Sequence, residues 1–167
     1  MDFYQSLGGL ILGSRLRRVS EYFIAEVNKV YEYHGIEFEA GWFPLFFLLS
    51  TREELSIKAI SATLSVSHSA SSQLVSQLRK KDLVALSRSS EDGRKQLVRL
   101  SEKGTQVLAQ VRPLWDAVRD AMQEILEGDR ATAALLPAIT ALENKFAAQP
   151  LFERLISHTK LTPTPHE

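Results

Sequence analysis

The sequence predicts a mostly helical fold that carries one small β-hairpin, and three observations predict it. Stretches at both ends repeat apolar residues at the three-and-four spacing of an α-helix, as in Leu16, Val19, Phe23, Val27 and Val30. The middle, "LSIKAISATLSVSHSASSQLVSQLRKK", holds two short amphipathic segments separated by a tight turn. After Asp82 the period changes: "LVALSR" and "RKQLVRLS" are strand-like runs joined by "SSEDG", and Asp92-Gly93 is a favoured hairpin dipeptide. Helix, turn, helix, hairpin is the element order of a winged helix-turn-helix domain.

The first 34 residues read as one long helix that stops at Gly35, with Gly8 and Gly9 as the place for a break. A short helix from Trp42 to Ser50 is apolar almost all round and belongs in a core; Pro44 sits in its first turn, where no N–H is needed. Ser56 is the N-cap of a two-turn helix that buries Ile57, Ile60 and Leu64. Ser65 and Val66 form the turn, Ser67 caps the next helix, and the small Ser61 lets the two helices cross. Beyond the hairpin, Ser101 caps a long helix whose apolar positions run from Val107 and Leu108 through Trp115 to Ile125 and Leu126, with a bend expected at Pro113. Gly128-Asp129 ends it. A helix from about Thr132 to Ala147 and the apolar piece "LFERLI" follow, and "TPTPHE" reads as a frayed tail.

Composition narrows the function. The 167 residues are 44% hydrophobic and 24% charged, as in an ordinary globular domain. No apolar run approaches the roughly 20 residues that span a bilayer, and Asp2 stands where a secretory leader would be basic, so a cytoplasmic chain without a membrane partner is expected. There is no cysteine, which removes disulfides, thiolate nucleophiles and zinc–thiolate sites. The four histidines form no ligand-spaced pair, and neither a phosphate loop nor a nucleophile elbow is present. The expectation is a protein with no catalytic residue, no metal and no cofactor. Net charge is zero but unevenly spread: residues 67–104 hold eight basic and four acidic side chains, while acids exceed bases on either side. A local excess of positive charge suits a phosphate-facing surface.

The helix from Ser67 to Lys81 is rich in serine, a mediocre helix former. On a wheel Ala70, Ser71, Leu74, Val75 and Leu78 gather on one side, and His68, Ser69, Ser72, Gln73, Ser76, Arg79 and Lys80 on the other. A surface helix without a duty usually carries Glu and Lys. This outer face has no acid; it is short, polar and uncharged until its last turn. Small side chains allow close approach to a major groove, hydroxyls can bond bases or phosphates, and Gln73 can pair with an adenine edge.

The most specific stretch is "DGRKQLVRLSEKG", Asp92 to Gly104. Here the sequence resembles the MarR family of winged-helix transcriptional regulators, whose wing carries Asp, one residue, Arg, five residues, Leu, Thr, two residues, Gly. Asp92, Arg94, Leu100 and Gly104 match, with Ser101 in place of Thr. "LRKKDLV" resembles the family's end of the recognition helix, with Asp82 where Gly is frequent; Ser65 replaces a common turn glycine, and Leu86 and Ser87 stand where arginine is frequent.

The resemblance implies one domain over residues 1–167. Residues 38–104 would be the winged-helix DNA-binding part, flanked by dimerisation helices at 3–34 and 105–158. It implies a homodimer gripping a pseudo-palindromic DNA operator, most often as a repressor. The candidate DNA-binding residues are Ser67, His68, Ser69, Ser72, Gln73, Ser76, Arg79, Lys80 and Arg88, with Asp92, Arg94 and Lys95 in the wing. Arg94 would enter the minor groove, a role that suits a guanidinium, and Asp92 would hold the wing through an arginine. Family members commonly respond to small aromatic or phenolic ligands, for which Tyr31, His34, Trp42, Phe46 and Trp115 are candidates. Aromatics at helical spacing are more often simply core. The absence of cysteine excludes the branch of the family that senses peroxide through a thiol. The rival reading is a winged helix that docks proteins rather than DNA; its interface would favour aromatic anchors, which the serine-rich face lacks.

Overall fold

The computed structural model describes residues 3–88 and 96–159. The N-terminal stretch is not one helix. A single turn, α1 (Phe3–Ser6), and a 3₁₀ turn (Gly8–Ile11) precede α2 (Leu12–Tyr33), and Gly8, at φ +51°, makes the break. α2 stops where the sequence indicates. Gly35 adopts φ +65°, and the Ile36 N–H closes back onto the Tyr31 carbonyl at 2.9 Å, satisfying a carbonyl that the helix end leaves open. A 3₁₀ turn (Ala40–Trp42) leads into α3 (Phe43–Thr51), which buries Leu45, Phe46, Leu48 and Leu49.

β1 (Leu55–Ser56), α4 (Ile57–Leu64) and α5 (His68–Lys80) follow, then β2 (Val84–Arg88) and β3 (Gln96–Leu100). The hairpin strands pair antiparallel from Val84↔Leu100 to Arg88↔Gln96. β1 adds a third strand to the far edge of β3, with Leu55 opposite Val98, giving the order β1-β3-β2. Two residues are too few to show an alternating pattern, so this strand leaves no mark in the sequence. Leu55, Val84, Leu86, Val98 and Leu100 all contribute to the core, while Arg88, Gln96 and Arg99 are exposed.

α6 (Glu102–Glu127) continues across Pro113, whose missing N–H leaves the Ala109 carbonyl without its usual helical donor. The expected helix from Thr132 is divided into α7 (Arg130–Ala133) and α8 (Leu135–Ala148). Pro137 cannot donate to the Ala133 carbonyl, so one helix ends and another begins with proline in its first turn. "LFERLI" lies in α9 (Leu151–His158).

The chain divides into two compact units, residues 1–118 and 119–167. The first has a core centred on Phe38, whose ring lies edge-on to Tyr31, Trp42 and Phe46 at centroid distances of 5.0, 5.5 and 4.9 Å. Ile60, Val75, Leu78, Val84, Val98 and Val111 belong to the same core, as do Val27, Leu83, Leu108 and the leucines of α3. In the second unit α7, α8 and α9 bury none of their residues. A groove of about 400 Å³ there is lined by Met122, Leu126, Ala133, Leu136 and Pro137, among others. Among the described residues, no helix is long and apolar enough to cross a membrane.

Candidate nucleic-acid interface

The helix pair is built by two serine caps and one strained turn. Ser56 Oγ accepts from the Ala59 N–H at 3.2 Å and starts α4; Ser67 Oγ accepts from the Ala70 N–H at 3.1 Å and starts α5. Between them Ser65 adopts φ +54°, and the Val66 N–H reaches back to the Ser61 carbonyl at 3.1 Å. Ser61 Oγ bonds the Ile57 carbonyl of its own helix, which keeps the hydroxyl out of the helix crossing.

α5 docks through Ser71, Val75 and Leu78, which are 1%, 3% and 0% exposed, with Leu74 half-buried beside them. Ser71 Oγ is buried and has no hydrogen-bond partner among the described residues. Ala70, placed by the wheel on the inner side, is exposed, because it lies at the edge of the apolar arc. The outer face is as the sequence predicts: His68, Ser69, Gln73, Ser76, Arg79 and Lys80 are exposed and Ser72 is half-buried. The Ser72 hydroxyl and His68 Nδ1 lie 3.4 Å apart. Arg79 and Lys80 occupy the last turn, where the helix dipole favours cations.

Arg88 is exposed at the end of β2. Asp92, Arg94 and Lys95 lie outside the described residues. The two departures from the family pattern on β2 have local explanations. Leu86 packs against the core, and Ser87 Oγ donates to Glu54 Oε2 at 3.2 Å.

Ser101 and Gly104 tie the sheet to α6. Ser101 Oγ donates to the Asp82 carbonyl at 2.5 Å and accepts from the Gly104 N–H at 2.9 Å, while its own N–H donates to the Leu83 carbonyl at 3.1 Å. A Cβ on Gly104 would lie 2.0 Å from the Leu83 carbonyl oxygen, so only glycine fits. The Ser and Gly of the wing motif are thus a joint between backbone segments. Asp82, the residue where the family favours glycine, adopts φ +58°.

Of the candidate ligand residues, Tyr31, Trp42 and Phe46 are buried and Trp115 is half-buried. Trp115 Nε1 donates to the Tyr31 hydroxyl at 3.0 Å, and its ring stands edge-on to Phe43 at 4.9 Å. Burial raises the Tyr31 pKa above its ordinary value, an effect partly offset by the indole N–H. His34 stands apart, exposed at the end of α2 with its ring against Tyr33. The hub of the cluster, Phe38, was not a candidate; its signal was the alternation of Ile36, Glu37, Phe38 and Glu39 in an extended segment. Among the described residues, no group of three potential ligands could hold a metal ion.

Residues 34–95 match the model of the MarR family. No curated protein matches the chain by sequence. Solved structures do match in fold. A mutant MarR of E. coli complexed with operator DNA aligns with a TM-score of 0.65 and 17% identity, covering 84% of this chain and 97% of that one. A MarR family transcriptional regulator of Streptomyces coelicolor in complex with DNA aligns at 0.64 and 19%, covering 85% and 92%. BpsR of Bordetella bronchiseptica, whose DNA binding is regulated by 6-hydroxynicotinic acid, aligns at 0.61 and 20%, covering 81% and 91%. At these identities the structural likeness speaks for the fold alone. The chain thus carries the sequence pattern of the MarR family over residues 34–95 and, over most of its length, the winged helix-turn-helix fold of these structures.

Proposed function

We propose that the protein is a sequence-specific DNA-binding transcriptional regulator, a repressor that binds a pseudo-palindromic operator as a homodimer in the cytoplasm. The observation that carries this reading is the outer face of α5: exposed but for the half-buried Ser72, free of acidic residues, composed of hydroxyls, the His68 imidazole and the Gln73 amide, and ending in Arg79 and Lys80. Ser69, Gln73 and Ser76 would meet base edges, while Ser67, Arg79, Lys80 and Arg88 would meet phosphates. His68 and Ser72 would act as a pair, given their proximity. Arg94, Lys95 and Asp92 would form the wing contact. The DNA-bound regulators of E. coli and Streptomyces coelicolor support the same use of the fold. Catalysis has no part in this reading.

A small aromatic effector would act by opening the cluster around Phe38, where Tyr31 and Trp115 offer hydrogen-bonding groups among apolar rings. BpsR, with its hydroxylated aromatic acid, is the relative that supports it.

The test is fluorescence anisotropy with labelled intergenic DNA flanking the protein's own gene and a scrambled duplex as control, at near-physiological salt. Tight binding to the native duplex alone is expected. Arg94→Ala should weaken it markedly and lower the salt slope by about one unit. Failure to bind either duplex at low salt would favour the protein-docking reading, and unchanged binding by the variant would remove the wing assignment.

A further inference from the structure

Lys81, the residue after the last turn of α5, is held from two sides. Its ammonium pairs with the Glu37 carboxylate, in the connector between α2 and α3. Its backbone carbonyl accepts from the Lys103 ammonium of α6 at 3.0 Å. The next two carbonyls, those of Asp82 and Leu83, are taken by the hydroxyl and N–H of Ser101. Three successive carbonyls at the end of α5 are therefore bonded to residues 101–103, and the Glu37 pair fastens the same point to the N-terminal side.

Lys81 completes a run of three cations, Arg79, Lys80 and Lys81, yet it differs from the other two. At 100° per residue it falls beside Leu74 and Leu78, away from the arc that carries His68, Gln73, Ser76 and Lys80. Its charge is engaged within the protein. The Glu37 carboxyl is held below its usual range by Lys81, with Lys103 adding to the effect, and the Lys81 ammonium is raised by Glu37. The two side chains are 48% and 67% exposed, so the pair adds little to stability. Its value is geometric, because it fixes the C-terminal end of the helix.

We propose that Lys81 is a positioning residue for DNA reading: Glu37 on one side and Lys103 on the other set the angle at which α5 is presented. The inference rests on the DNA-binding function proposed above and adds a link to it. A displacement of the connector that follows α2 would reach the reading helix through Glu37 and Lys81. Base-edge hydrogen bonds have narrow geometry and register a small rotation of α5. Phosphate contacts made by long side chains absorb it.

The experiment titrates the native and scrambled duplexes with the full chain and with Glu37→Gln, Lys81→Met, the double variant and Lys81→Arg. Circular dichroism melting accompanies each protein. Loss of an exposed pair changes a binding constant by no more than about fivefold. Glu37→Gln and Lys81→Met should therefore each weaken operator binding two- to fivefold. The double variant should add nothing, and Lys81→Arg, which keeps the pair, should bind as the wild type does. Scrambled-duplex affinity and the salt slope should stay unchanged throughout. A fall on both duplexes for Lys81→Met, with the salt slope reduced by about one and no effect of Glu37→Gln, would make Lys81 a phosphate contact and overturn the proposal. Wild-type operator affinity in all variants would overturn it as well. A wild-type chain with no operator preference would overturn the functional reading and this inference together.

Discussion

Gly104 shows what a single residue contributes to this fold. Its α-carbon lies so close to the Leu83 carbonyl that a methyl group would overlap the oxygen at 2.0 Å. That carbonyl is already fixed by the Ser101 N–H, and the obstacle is backbone, which cannot swing aside. Gly104→Ala should destabilise the domain by at least the roughly 1–3 kcal/mol typical of overpacking, seen as a lower urea midpoint. A midpoint equal to the wild type would mean that the joint is looser than its geometry implies. The sequence displays this glycine as part of a motif, yet the reason for it depends on a residue 21 positions earlier. The same limit applies to Ser71. Its place on the inner face was legible from the wheel, but that its hydroxyl has no partner among the described residues depends on how the neighbouring helices pack.

Among the elements, helix ends are the instructive case. α2, α4 and α5 all stop with a left-handed residue followed by an N–H that reaches back five positions: Ile36 to Tyr31, Val66 to Ser61 and Leu83 to Leu78. The left-handed residues are Gly35, Ser65 and Asp82. Glycine is suited to this geometry, whereas a side chain there costs about 1–2 kcal/mol, reduced by the greater chain entropy that glycine gives up. Asp82→Gly should therefore stabilise the protein by about 0.5–1 kcal/mol, with the Ser101 bond to the residue 82 carbonyl retained. Chemical denaturation should show a higher midpoint with an unchanged slope; a lower midpoint would assign the Asp82 side chain a stabilising contact. Gly35 was legible as a stop because composition marks it. Ser65 and Asp82 were legible only as departures from a familiar pattern, since neither residue type announces a positive φ. β1 was not legible at all, because one of its two residues also serves as the cap of α4.

For the whole molecule, the dominant feature is uncovered apolar surface in both units. Leu10, Val19 and Phe3 are 91%, 61% and 67% exposed in the first unit, and Leu136, Phe152 and Leu155 are 59%, 71% and 59% exposed in the second. Monomeric proteins rarely leave so much large apolar surface in water. A second copy of the chain, as proposed above, would cover it. Light scattering should give twice the 18.8 kDa chain mass, and the melting temperature should rise with protein concentration. Phe152→Asp with Leu155→Asp should yield the monomer, and a wild-type monomer at micromolar concentration would refute the dimer. The apolar spacing of both ends was readable in the sequence. Which positions are buried within one chain was not: along the stripe of α2, Val27 is buried while Leu16, Val19 and Phe23 are exposed. The chain also carries its own optical reporter. Its two tryptophans, Trp42 and Trp115, both stand against Phe38, and the indole N–H of Trp115 rests on a phenol in the protein interior. Any molecule that parts α3 from α6 must alter that environment, so intrinsic emission should follow effector binding without a label, at wavelengths where a duplex contributes little.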